Sequence, residues 1–175
     1  MKKLSLLLVV LSLFVAAQAY AENIKIGSVD LIKALNESDA GKKAKTDLES
    51  LIKTKQASLD EKGKSIEKMK GDIEKQSSVL SADARKSKED ELEKVIRDYQ
   101  RLVGDSQGEI KKKEGEFTKE IIKELREIIA KIGTEGGYTI ILEGSDGQIL
   151  YAQKEIDLTD LVIKKHNEMK AAPKK

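Results

Sequence analysis

Cysteine is missing from all 175 residues, tryptophan is missing too, proline occurs once and aromatic side chains make up 3% of the chain. Without cysteine, disulfide stapling, thiol catalysis and Cys-based metal sites are excluded together, and an exported chain is spared mispairing in an oxidising compartment. With proline confined to Pro173, nothing in the interior forces a helix to kink. No apolar run reaches the ~20 residues needed to span a bilayer as a helix. Charge of one sign is lacking as well: 33 Lys and Arg face 31 Asp and Glu. A nucleic-acid-binding protein needs a concentrated basic face, which this balance does not supply.

What is present begins with Met1-Lys2-Lys3, an apolar run over residues 4–17 and small residues around Ala17-Gln18-Ala19-Tyr20-Ala21. A basic start, a short apolar run and an Ala-x-Ala site predict a secretory signal peptide over residues 1–21. Cleavage after Ala19 or after Ala21 fits, and Ala21 is preferred. Loss of Lys2 and Lys3 leaves 31 basic and 31 acidic side chains, a neutral mature chain.

Residues 42–132 carry a thin apolar seam. Ile52, Leu59, Ile66, Ile73 and Leu80 stand seven apart, and Ile96, Val103, Ile110 and Phe117 repeat the spacing. A strict seven-residue repeat marks a helix that buries one narrow stripe against a partner. The other faces are Lys, Glu, Asp and Arg, so the stretch reads as an antiparallel helical-hairpin, coiled-coil arm roughly 60–70 Å long at 1.5 Å per residue. The outgoing helix should start at Ser38 or Asp39 and run to about Leu80. The returning one should be capped by Ser81 and stop at Gly133. Residues whose numbers sum to 162 then lie level, which places Gly63 beside the Tyr99 ring. Glycines at 63, 71, 104, 108 and 115 each cost ~1 kcal/mol in a helix interior. Two readings stay open for them: close backbone packing, strongest for Gly63, Gly104 and Gly108, or a pliable arm.

Outside the arm, residues 23–29 alternate as a short strand and residues 31–35 form one or two helical turns. Tyr138-Thr139-Ile140-Ile141-Leu142-Glu143 and Gln148-Ile149-Leu150-Tyr151-Ala152 look like strands joined as a hairpin by Gly144-Ser145-Asp146-Gly147. Asp157 should cap a last helix over residues 158–169, ahead of a frayed tail at 171–175. The fold class is therefore α+β: a small β-rich body from residues 22–41 and 133–170, with the arm at 42–132. A body this small rarely holds a core alone, and with metals and disulfides missing, oligomerisation remains. Ile24, Ile26, Val29, Ile140, Leu142, Ile149 and Leu161 are the candidate contacts between subunits.

Chemistry is sparse. His166 sits among Lys164, Lys165 and Glu168 and reads as a surface residue without convergent partners. The Gly133–137 stretch lacks the Gly-Lys-Ser/Thr of a phosphate cradle and reads as a helix stop. Asp146 lacks the alternating acidic ligands of a calcium loop. No nucleophile–base pair stands out, so no enzyme, catalytic residue, metal or cofactor is expected. The half-exposed seam near the tip leaves Met69, Ile73, Leu80, Ile96, Tyr99 and Val103 as the apolar groups most easily offered to a partner.

The order of parts resembles the Skp (OmpH-like) family of periplasmic chaperones over nearly the whole mature chain. The residues that carry the likeness are the strand Lys25-Ile26-Gly27-Ser28-Val29-Asp30, the Leu80-Ser81-Ala82-Asp83-Ala84-Arg85 tip, Tyr138-Thr139-Ile140-Ile141-Leu142 and Ile156-Asp157-Leu158-Thr159. The resemblance implies a homotrimer of jellyfish shape, with short strands pooled in a central body and three arms around a cavity. It also implies an ATP-independent holdase for unfolded outer-membrane β-barrel proteins in the periplasm. The best-known members are clearly basic, whereas this mature chain is neutral. That leaves room for no more than a weak membrane or lipid contact, and no lipopolysaccharide site is carried over. The competing reading is a structural or adaptor coiled coil of the cell envelope that docks one defined partner. An adaptor calls for a fuller seam and fewer helix glycines.

Overall fold

The computed structural model describes residues 24–145, 147 and 149–171. The expected signal peptide and the last four residues of the expected tail lie outside them. Strand β1 (Ile26–Val29) passes through Asp30 into the short helix α1 (Leu31–Glu37), and Ser38 separates that from the long helix α2 (Asp39–Gln76). Each junction has a cap. Asp30 accepts from the Lys33 amide at 2.7 Å, and the buried Ser38 hydroxyl accepts from the Gly41 amide at 3.1 Å. The two helices meet so closely here that a Cβ on Gly41 would lie 1.7 Å from the Leu35 carbonyl oxygen, so only glycine fits.

Helix α3 (Ala82–Gly136) returns along α2, capped by Ser81 as the sequence predicts. Both arm helices end differently from expectation. Helix α2 stops at Gln76 rather than Leu80, and residues 77–80 form the turn. Helix α3 runs through Gly133 and ends at Gly137, which takes a left-handed φ of 63°. The Tyr138 amide bonds back to the Gly133 carbonyl and the Gly137 amide to that of Thr134, the double closure of a Schellman cap. Lys25 reinforces this end: its ammonium donates to the Gly136 carbonyl at 2.7 Å and lies 4.1 Å from the centre of the Tyr138 ring. Gly133 cannot be the stop because the closing amides come from residues 137 and 138.

Strand β2 (Ile140–Glu143) pairs with β1 in parallel, Ile26 opposite Ile140 and Val29 opposite Glu143. A parallel pair needs a long crossover, and here the whole arm is that crossover. The expected antiparallel hairpin is not formed. Among the described residues, Ile149–152 belong to no strand, and Leu150 is 96% exposed. A hairpin would lay this segment on the outer edge of β2. The chain instead crosses back to the far edge of β1, where the Leu158 amide donates to the Ser28 carbonyl at 2.8 Å and Asp157 bridges Ser28. That path delivers Leu158 and Val162 to the core. A 3₁₀ turn (Lys154–Ile156) precedes helix α4 (Thr159–Ala171), and Asp157 accepts from the Thr159 amide at 2.9 Å, close to the predicted cap.

The core joins Val29, Ala34, Leu158 and Val162 to Ile121, Leu125, Ile128 and Ile132 of α3. The base of the arm is thus the central wall of the body, and its 4-3-4 spacing continues the seam beyond Phe117. Leu125 has no exposed surface, and burying a side chain of that size stabilises by ~1.5–3 kcal/mol. His166 is a second correction. It is fully buried, its Nε2 lies 2.9 Å from the Glu124 carboxylate, and Nδ1 has no partner. Leu158, just ahead of α4, and Val162 and His166 on it stand four apart along one face, and that spacing, rather than the charged neighbours of His166, decides its placement.

Candidate functional site

Once the core is assigned, the apolar surfaces left among the described residues include the seam of the arm and the outer face of the two-stranded sheet. In the arm, Ile66 is the one buried apolar side chain between residues 45 and 117 among the described residues, and Ser106 is buried as well. Ile52, expected in the stripe, is largely exposed, and Leu51 is the more covered of the two. A straight helix of 3.6 residues per turn drifts ~20° per heptad from a strict seven-residue repeat. Ile66 at mid-arm is therefore centred, while Ile52 two heptads away has rotated outward. Lys55 reaches across the hairpin to Glu109 at 2.6 Å. That pair lies within two residues of the expected level pairing. The other arm ion pairs described, such as Lys43–Asp47, Lys70–Glu67 and Arg85–Glu89, join residues three or four apart on one helix.

The five arm glycines settle one of the two readings left open. A Cβ added at Gly63, Gly71, Gly104, Gly108 or Gly115 would meet nothing within 4 Å. The Tyr99 ring does not fill the place beside Gly63, and Gly104 and Gly108 make no close helix contact. Close packing is therefore not their role. Each weakens the helix without a compensating contact.

Met69, Ile73, Leu80, Ile96, Tyr99 and Val103 are all half-buried, each partly covered and partly open to solvent. Val79, at 79% exposure, escaped the sequence reading. Its signal was its place beside Leu80 in the predicted tip, where the heptad pattern lapses.

On the body, Ile24 is 68% exposed, and Ile26, Ile140 and Leu142 are exposed beside it. Ile26 and Ile140 are register partners and Leu142 is two residues on, so alternation places all three on one face. Leu161 is also exposed and Ile149 is half-buried. Val29 points the other way. It is closed inside its own core and has no surface for a neighbouring subunit.

Three carboxylates tie the body together. Burial pushes each of Glu124, Glu143 and Asp157 up, but hydrogen bonds outweigh it and hold all three below the ordinary carboxylate range. The donors are Lys170 and His166 at Glu124, Ser145 and the Leu31 amide at Glu143, and Thr159 at Asp157. A folded value below the unfolded one gives stability that is complete above the unfolded value of ~4 and is lost as pH falls through the folded one. The share of the urea midpoint that these three carboxylates supply should therefore be complete above about pH 5 and be lost below about pH 4. Urea titrations at each pH check this. Glu143→Gln should lower the neutral midpoint and flatten the acid decline, and an unchanged decline would remove Glu143 from the account.

With this geometry in view, the sequence profile of the family described as Outer membrane protein (OmpH-like) matches residues 25–165. The chain belongs to the OmpH-like family. No curated protein sequence matches it. Among solved structures it is similar to one from Caulobacter crescentus CB15, named as a candidate outer membrane chaperone (OmpH-like), with 17% identity and a TM-score of 0.79. The alignment covers 83% of this chain and 85% of that one, so the two share the fold. The fold class read from the sequence, a small β body carrying a long helical hairpin, is the one observed.

Proposed function

We propose that this protein is an ATP-independent holdase of the periplasm, receiving unfolded outer-membrane β-barrel proteins between helical arms and keeping them from aggregating. No catalytic step or cofactor is part of this reading. The observation that carries it is the arm: a half-buried apolar seam on a charged hairpin whose glycines pack against nothing. Such a surface offers many weak contacts, and avidity from several arms suits a client without fixed shape. In this reading three chains assemble through Ile24, Ile26, Ile140, Leu142, Ile149 and Leu161. An exposed apolar face and the outer edge of β2 favour such pairing. The free arm is the part on the tip side of Phe117, since residues 121–132 belong to the body core. A stable folded monomer in micromolar sedimentation would sink the assembly. The function is tested by diluting a urea-unfolded outer-membrane barrel into substoichiometric protein. Light scattering should stay low, while folded proteins should not bind.

An adaptor that docks one defined partner would gain from a stiff, complete seam, and the five open glycines argue against it. Changing all five to alanine should raise the melting temperature of the arm, by roughly 1 kcal/mol of stability per site. It should also narrow the range of client sizes held. Circular dichroism melts paired with scattering assays on small and large barrels measure both. Equal holding of every size after stiffening would count for the adaptor.

A further inference from the structure

At the root of the arm, beside the end of α4, helices α2 and α3 leave an open hollow of about 330 Å³. Its floor is apolar: Ala40 and Ala44 of α2 face Phe117 and Ile121 of α3. Two alanines one turn apart give it depth. Its volume is at the small end of ligand pockets (~300–1,000 Å³), room for one or two side chains rather than a folded surface.

The rim is charged, and unevenly. Carboxylates of Asp39, Asp47, Glu120 and Glu124 stand against the ammonium groups of Lys43 and Lys170. Both lysines are engaged, Lys43 with Asp47 at 2.7 Å and Lys170 with Glu124 at 2.6 Å. Among the described residues, Asp39 and Glu120 have no basic partner within ion-pair distance. The hollow is therefore locally negative on an arm with a slight excess of Lys and Arg.

We propose that this hollow is a second client contact. It takes an extended segment in which one large apolar side chain is flanked by Lys or Arg. The apolar group fills the space over Ala40 and Ala44, and the flanking cations meet Asp39 and Glu120. The proposal rests on the holdase reading and names the segment chemistry selected at the arm root. The surplus positive charge of the rest of the arm disfavours such a segment, so any preference for it must come from this rim.

The test uses the full chain and two fluorescent nonapeptides of Gly and Ser with a central Phe, one flanked by Lys pairs and the other by Glu pairs. Fluorescence anisotropy at low salt should show the Lys-flanked peptide binding roughly five- to tenfold tighter, with the advantage shrinking as salt is added. The exposed double variant Asp39→Lys/Glu120→Lys should abolish or reverse the preference while keeping the parent's sedimentation and helicity. A photoreactive maleimide on the rim at Lys43→Cys, the sole cysteine in that variant, should capture the Lys-flanked peptide. Equal binding of both peptides, or a preference that survives the charge reversal, would overturn the proposal. So would tighter binding after removal of residues 172–175, which would make that segment the occupant. A changed oligomeric state on charge reversal would make the occupant a second copy. If the holdase reading itself were wrong, the unmodified chain would fail to protect a diluted barrel whichever peptide bound.

Discussion

A chain in which residues 55–107 are replaced by a short turn is expected to keep the parent's oligomeric state and body stability while losing its protection of diluted barrels. The body should survive because its core lies outside the deleted stretch. Ile121, Leu125, Ile128 and Ile132 of α3, together with Val29, Ala34, Leu158 and Val162, remain in place. The removed residues hold most of the half-buried seam, three of the five open glycines and Val79 at the tip. Sedimentation, circular dichroism and light scattering on the same preparation check the three parts. A truncated chain that still protected fully would move the binding surface to the body and favour the adaptor reading.

Replacing Met69, Leu80, Tyr99 and Val103 together with serine should likewise remove most of the holding activity, whereas any one replacement should weaken it only slightly. A side chain of this kind offers ~1.5–3 kcal/mol when fully buried against a partner. Half-buried groups on a shifting client return much less each, so the loss becomes large only when several contacts go at once. The same groups are also partly covered within the hairpin itself. Arm helicity by circular dichroism therefore has to stay near the parent's for the loss to count as lost contact. Undiminished holding by the quadruple variant with intact helicity would take these residues out of the client surface.

The parts of this fold that local chemistry decides were readable from the sequence. Ser38 and Ser81 cap the arm helices because a side-chain oxygen in that position satisfies an amide left over in the first turn. The seven-residue repeat gave the hairpin and its antiparallel sense. What the sequence hid depends on partners distant along the chain. The stretch 148–152 has strand composition, yet its path is set by where Leu158 enters the core and by the open edge of β1 at Ser28. Gly133 and Gly137 are both plausible stops, and the return of the Tyr138 amide selects between them. His166 looked superficial among charged neighbours, but Glu124, forty-two residues earlier, supplies the acceptor that lets it be buried. The candidate surfaces divide the same way. Exposure at Ile24, Ile26, Ile140 and Leu142 follows from strand alternation, whereas Val29 is lost to the core through the packing of α3 and α4.

The central claim, that unfolded clients are gripped by the arms, is tested most directly by site-specific cross-linking in this cysteine-free chain. Single cysteines at Val79, Gln100 and Lys154, each carrying a photoreactive maleimide, report separately on the tip, the mid-arm and the body. With a urea-diluted barrel bound, the account predicts strong adducts from Val79 and Gln100 and little from Lys154. Adducts from Lys154 alone, with the two arm positions silent, would contradict it.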